Sequence, residues 1–147
     1  MFDFIYLFWQ ANDMIVMGLD VGDKRIGVAV SDGLGLTAQG IDTVSRDNYV
    51  DALKSIIEEY EVKSVVVGIP RMLNGTIGIQ AEKVLEFIED LKAGIQLPVF
   101  LWDERFSTVA AERVLLEANM SRKKRKTLRD KVAAIVILQN YLDSRKS

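Results

Sequence analysis

Neither cysteine nor histidine occurs among the 147 residues. Without cysteine there is no disulfide framework and no thiolate metal site, a pattern that fits a reducing, cytoplasmic setting. Without histidine there is no imidazole general base, no histidine-dependent triad and no His-ligated zinc. Acid–base or metal chemistry must then come from carboxylates, whose hard oxygens favour magnesium or manganese. A membrane-length run is also missing at the start. Residues 1–13 are aromatic and apolar, but a bilayer crossing needs about 20 residues, and there is neither the basic start nor the small-residue cleavage site of a leader. No membrane partner is expected. Residues 1–13 could be an element packed on the body, or sequence preceding a true start at Met14. The second reading is favoured, because a strand pattern begins cleanly at Met14.

The chain has the length of one domain, 14–147, and an ordinary globular composition, 49% hydrophobic and 27% charged. Net charge is −2, which taken whole argues against a polyanionic partner. The distribution reverses that impression. Arg122, Lys123, Lys124, Arg125, Lys126 and Arg129 crowd one short stretch and leave the rest clearly acidic.

Met14–Val21 reads as a buried strand and Arg25–Ser31 as its hairpin partner across an Asp23-Lys24 turn. A third strand is expected over Thr37–Thr43. Helical spacing of Val50, Leu53, Ile56, Ile57 and Tyr60 predicts a helix over Asp47–Tyr60. The β-branched run Lys63–Ile69 suits a strand covered on both faces, stopped by Pro70. A polar loop over 71–78 leads into a helix at Ile79–Leu91, with Ala81, Val84, Leu85 and Ile88 inward. Pro98–Trp102 is the last strand. Ser107 and Thr108 would cap a helix to Asn119, Ser121–Lys126 reads as a basic linker, and Thr127–Leu142 as the final helix. This β-β-β-α-β-α-β-α order predicts an α/β domain, a mixed five-stranded sheet in the order 3-2-1-4-5 flanked by helices, which is the outline of the ribonuclease H-like fold.

Three acids stand where burial demands a purpose. Asp20 ends an apolar strand, bracketed by Gly18 and Gly22, so a phosphate could approach closely; the plainer alternative is turn chemistry in Asp-Val-Gly-Asp. Asp103 and Glu104 follow the last strand, where alternation aims adjacent side chains at opposite faces. One of them would enter a site while the other pairs with Arg105 or caps a helix, and spacing does not choose between them. Asp130 shares a helix stripe with Ala133, Ala134, Ile137, Leu138 and Tyr141. Near the predicted helix start, the positive end of the dipole would hold it ionised; a plain first-turn acid is the alternative. The basic run beside it could be a solvated linker or a set of phosphate contacts. Asn74 and Thr76 lie in a glycine-bearing loop that could present N–H groups to phosphate. Trp9 and Trp102 read as core rather than stacking platforms.

The segments GLDVGDKRIGVAVSD (18–32), VVVGIPRMLNGTIGIQAEKV (65–84), WDERFST (102–108) and RDKVAAIVILQNYLD (129–143) together resemble the YqgF-type proteins. These are bacterial ribonuclease H-like proteins described as Holliday junction resolvases or pre-16S rRNA nucleases. The resemblance spans about 14–143. It implies a metal-dependent phosphodiesterase with two Mg²⁺ or Mn²⁺ ions held by Asp20, Glu104 (or Asp103) and Asp130. Arg105 and the 122–129 cations would hold flanking phosphates. The implied substrate is precursor rRNA, with branched DNA as the alternative, and the implied state a monomer or homodimer. One departure stands out: the loop usually reads Pro-x-Asn-Met, but here it is Pro70-Arg71-Met72-Leu73, which puts substrate contacts of that loop in doubt. Two other classes are carried alongside. One is an actin-like phosphotransferase, suggested by Asp20-Val21-Gly22 with Gly27 but lacking room for a second lobe. The other is a non-catalytic RNA- or protein-binding assembly factor.

Overall fold

The structure, a computed structural model, describes residues 15–69, 79–103 and 122–145, and of 79–81 and 122–130 the backbone alone. The segment before residue 15, the loop at 71–78 and the expected helix from Ser107 to Asn119 lie outside the described residues.

Five strands form one sheet in the order β3-β2-β1-β4-β5, as expected. β1 (Val16–Val21) pairs antiparallel with β2 (Arg25–Ser31), and β2 with β3 (Ala38–Ser45). β4 (Ser64–Ile69) lies parallel to β1, and β5 (Val99–Asp103) parallel to β4. The carboxyl ends of β1, β4 and β5 therefore share one edge, where open sheets gather their ligands. A 3-10 turn (Arg46–Asn48), begun by the Ser45 hydroxyl accepting from the Asp47 amide at 3.2 Å, leads into α1 (Tyr49–Tyr60). α2 spans Ile79–Gly94 and α3 Arg122–Ser144.

Alternation divides the strands between two cores. Met17, Leu19, Ile26, Val28, Val65 and Val67 face α1 and α2, where Leu53, Val84, Phe87, Ile88 and Leu91 are buried. Val16, Ala29 and Val66 face α3, against Ala134, Ile137, Leu138 and Leu142. Helix α3 lies very close to the sheet. A β-carbon on Gly18 would stand 2.7 Å from Leu138 Cβ, and one on Gly40 would stand 2.8 Å from both Ile135 Cδ1 and Lys131 Cε. The Gln139 carboxamide fixes the same register, accepting from the Ala38 amide at 2.9 Å and donating to the Leu36 carbonyl at 3.0 Å.

Several expectations are corrected. The basic stretch Arg122–Lys126 is not a linker but the first turns of α3. Lysine and arginine are good helix formers, and no glycine or proline interrupts 122–144. Asp130 consequently lies more than two turns inside the helix, beyond the reach of the first-turn dipole, so the plain first-turn alternative falls as well. The third strand runs on to Ser45, and α2 continues three residues past Leu91. In α2 the inward face includes Phe87, which is absent from the expected set, while Leu85 is only half-buried.

The close packing of α3 is testable. Gly18→Ala should destabilise the protein by about 1–3 kcal/mol in chemical denaturation, the usual effect of overpacking. Leu138→Ala should not relieve it, because the colliding atom is Cβ itself; equal stability of wild type and Gly18→Ala would contradict the close approach. At the β2–β3 turn, the Asp32 carboxylate accepts from the Leu36 amide at 2.7 Å and, more weakly, from the Thr37 amide and hydroxyl. The Leu36 hydrogen bond leads in holding it below the ordinary 3.8, against a smaller opposing effect of burial. A depressed carboxyl pKa stabilises the fold above its unfolded value, and that contribution disappears as pH falls through the lower folded value. Amide exchange at Leu36 should rise as pH falls below 3.8, after correction for intrinsic rates, and Asp32→Asn should remove that rise.

Candidate active site

Asp20 sits one residue before the end of β1 and is half-buried. Its face follows from its neighbours. Met17 and Leu19 enter the core under α1 and α2, while Val16 and Gly18 meet α3. Asp20 therefore falls on the α3 side. Its registered partner on β2 is Gly27. On β4, Leu19 pairs with Val67, so the next neighbour on that side is Gly68, which itself pairs with Trp102. A row Gly27–Asp20–Gly68–Trp102 thus crosses the sheet on the α3 face. Asp20 has no β-carbon beside it on either strand, which leaves space above the carboxylate for another group to approach.

Sequence reasoning does not find this glycine row, although half of its signal is there. A two-residue turn at Asp23-Lys24 already puts Asp20 opposite Gly27. Only the β1–β4 register adds Gly68.

Helix α3 runs against β1. Leu138 covers Gly18, and along β3 the helix passes from Gln139 at Ala38 to Ile135 and Lys131 at Gly40. Earlier residues of α3 therefore lie toward the carboxyl edge of the sheet. The backbone at Asp130 is one turn before Ala134, in the direction of Asp20. The stretch carrying Arg122, Lys123, Lys124, Arg125, Lys126 and Arg129 continues the same way.

Asp103 is placed differently. It pairs with Ile69 at the end of β5 and is exposed. Phe100 and Trp102 turn toward α3, where their rings lie 6.5 Å and 5.7 Å from that of Tyr141. Val99 packs on the opposite core. Alternation puts Asp103 with Val99, on the α2 face and away from Asp20. Glu104, Arg105, Asn74 and Thr76 lie outside the described residues. Trp102 is half-buried beside the second core, as expected of a packing residue.

Among the described residues no three acids gather into a metal-binding group. What the structure shows is a half-buried carboxylate, Asp20, near a strand end, with glycine beside it on both neighbouring strands. That environment suits an oxygen-ligated divalent ion. Among the described residues no helix is long and apolar enough to cross a membrane.

The comparisons with known proteins agree with the fold. Residues 14–144 match the model of the RuvX family, described as Holliday junction resolvase. A Clostridium novyi protein named "Putative pre-16S rRNA nuclease" is 58% identical over 134 residues, covering 89% of this chain and 99% of its own. A protein of the same name from Thermoanaerobacter pseudethanolicus is 54% identical over 138 residues, 91% of this chain and 99% of its own. Among solved structures, T. thermophilus RuvC in complex with Holliday junction substrate superposes with a TM-score of 0.58 at 17% identity, over 91% of this chain and 96% of that one. Fowlpox virus resolvase with substrate Holliday junction DNA gives 0.55 at 14%, over 90% and 99%. At such identities the likeness concerns the fold, and it is the ribonuclease H-like one. With a family match that spans nearly the whole chain, and relatives more than half identical to it, the chain belongs to the RuvX family of ribonuclease H-like nucleases.

Proposed function

We propose that this chain is a metal-dependent endonuclease that hydrolyses phosphodiester bonds in precursor 16S rRNA, at its 5′ end, during ribosome biogenesis. The observation that carries the proposal is the position of Asp20, on the α3 face at the carboxyl edge of the sheet, between two glycines. The RNA substrate is supported by the name borne by relatives 52–58% identical to this chain.

Asp20, Glu104 and Asp130 would hold Mg²⁺ or Mn²⁺. Glu104 is preferred to Asp103, since Asp103 faces α2, away from Asp20. Divalent ions bound there supply an activated water and offset charge on the leaving oxygen. The rest falls to the chain. The glycines beside Asp20 let the scissile phosphate approach the sheet. Arg105 and the cations of 122–129 neutralise and hold the flanking phosphates. Asn74 and Thr76, at the loop after β4, add hydrogen bonds to the backbone. No histidine is required at any step. A single site suffices for trimming one RNA strand, so a monomer is competent, whereas a resolvase needs two sites.

Asp20→Asn should keep its Tm and lose cleavage by more than the roughly 100-fold that loss of even an outer-shell partner of a metal costs. Normal turnover by pure Asp20→Asn would defeat the mechanism. Glu104→Gln should be as inactive as Asp20→Asn, while Asp103→Asn retains most of the activity; the reverse pattern would transfer the role to Asp103. Replacing Lys123 and Lys124 by alanine should weaken RNA binding and flatten the log–log dependence of affinity on salt by about 0.7 for each phosphate no longer neutralised.

The deciding experiment runs a labelled precursor 16S 5′ fragment beside a four-way DNA junction, each with Mn²⁺, Mg²⁺ or EDTA. Metal-dependent cutting of the RNA alone establishes the proposal. Cutting of the junction alone moves the assignment to the resolvase activity in the family's description. Tight RNA binding without cutting, indifferent to EDTA, makes the chain an assembly factor.

A further inference from the structure

We propose that Arg46 is a positioning residue for the active site, clamping the turn that follows Asp20. The catalytic half of this inference rests on the nuclease reading above; the structural half does not.

The β1–β2 turn closes with the Gly22 amide donating to the Arg25 carbonyl at 2.8 Å. A β-carbon at Gly22 would stand 2.9 Å from that same carbonyl oxygen, so the turn is too tight for any other residue to enter without a shift. Arg46 comes from the far end of β3 and grips this turn twice. Its backbone amide donates to the Lys24 carbonyl at 3.0 Å, and its Nη1 donates to the Gly22 carbonyl at 2.9 Å. The guanidinium is itself held in place, 5.0 Å from the centre of the Phe87 ring. Phe87 is only 2% exposed and packs against Tyr49 at 4.8 Å between ring centres.

A rigid anchor in the α1–α2 core is thereby connected, through one planar cation, to a carbonyl two residues beyond Asp20. A flexible ammonium would not serve equally, because stacking on a ring while donating sideways in its own plane is a property of guanidinium. Arg46 lies on the opposite side of the sheet from the proposed substrate path, so it acts through the backbone of the turn and not by touching substrate. It belongs to no motif that sequence reasoning could single out. Beside it opens a polar cavity of about 190 Å³, lined in part by Gly22, Asp23, Lys83 and Asp90. That space is large enough for a small ion to enter when the side chain is cut back.

The test uses the full chain with Arg46→Ala, and with Arg46→Lys in case the alanine variant does not fold, since lysine keeps an aliphatic stem on Phe87. Amide exchange followed by NMR should show the Gly22 N–H exchanging at least about tenfold faster, with the strand amides of Val66 and Val67 unchanged. In cleavage of the precursor 16S fragment, kcat should fall about 10- to 100-fold, the scale expected when a reacting group is displaced by an ångström, with KM unchanged. Guanidinium, well below denaturing concentrations, should restore part of both readouts, and urea should not. Wild-type exchange at Gly22 in Arg46→Ala would overturn the clamp. A loosened turn with intact kcat would overturn its catalytic relevance. If wild type cuts no substrate, the nuclease reading fails while the exchange data still decide whether Arg46 holds the turn.

Discussion

Everything at the proposed site depends on how closely α3 lies on the sheet. Gly18 has no side chain, and the space where its β-carbon would stand is taken by Leu138. Gly40 repeats the device at β3, against Ile135 and Lys131. Two glycines on one face, on strands separated by β2, fix the height and direction of a helix that runs from Arg122 to Ser144. Because α3 is antiparallel to β1, this docking carries its amino-terminal half toward the strand end that holds Asp20. A looser helix would still bury Ile137 and Leu138, but it would not hold an acid on its earlier turns in a set relation to an acid on the sheet.

A chain without histidine or cysteine has carboxylates as its metal-ligating side chains, and these suit hard cations. The fold supplies what that needs. Parallel pairing of β1, β4 and β5 brings three carboxyl ends to one edge. Alternation then sorts the acids at that edge, sending Asp20 to the α3 face and Asp103 to the α2 face. The backbone of the basic segment of α3 runs toward the same edge. The overall charge of −2 conceals this local polarity, and steering of a polyanion would depend on the local field rather than on the sum.

Much of the fold is legible in the sequence because apolar periodicity and turn chemistry agree over residues 16–31 and 64–69. The hairpin bounds Arg25–Ser31 and the buried run ending at Ile69 are where alternation and β-branching place them. The departures have common physical causes. Arg122–Lys126 has no apolar stripe to reveal a helix, yet intrinsic propensity and an uninterrupted sequence carry the helix through it. Phe87 escapes notice when the apolar face of α2 is drawn through Leu85 instead. The choice between Asp103 and Glu104 is invisible until β5 has a known face. Arg46 leaves no trace at all, since its partners are two carbonyls of one turn and a ring from a distant helix.

The central claim is that Asp20 anchors a divalent-ion site on the α3 face of the sheet's carboxyl edge. The most direct measurement is a crystal structure with Mn²⁺ at saturating concentration, read by anomalous scattering at the manganese edge. The account predicts manganese within direct ligand distance of the Asp20 carboxylate, on the α3 side, with Asp130 in the same shell and Asp103 outside it. Manganese bound on the α2 face at Asp103, or no manganese at Asp20 at saturation, would contradict it.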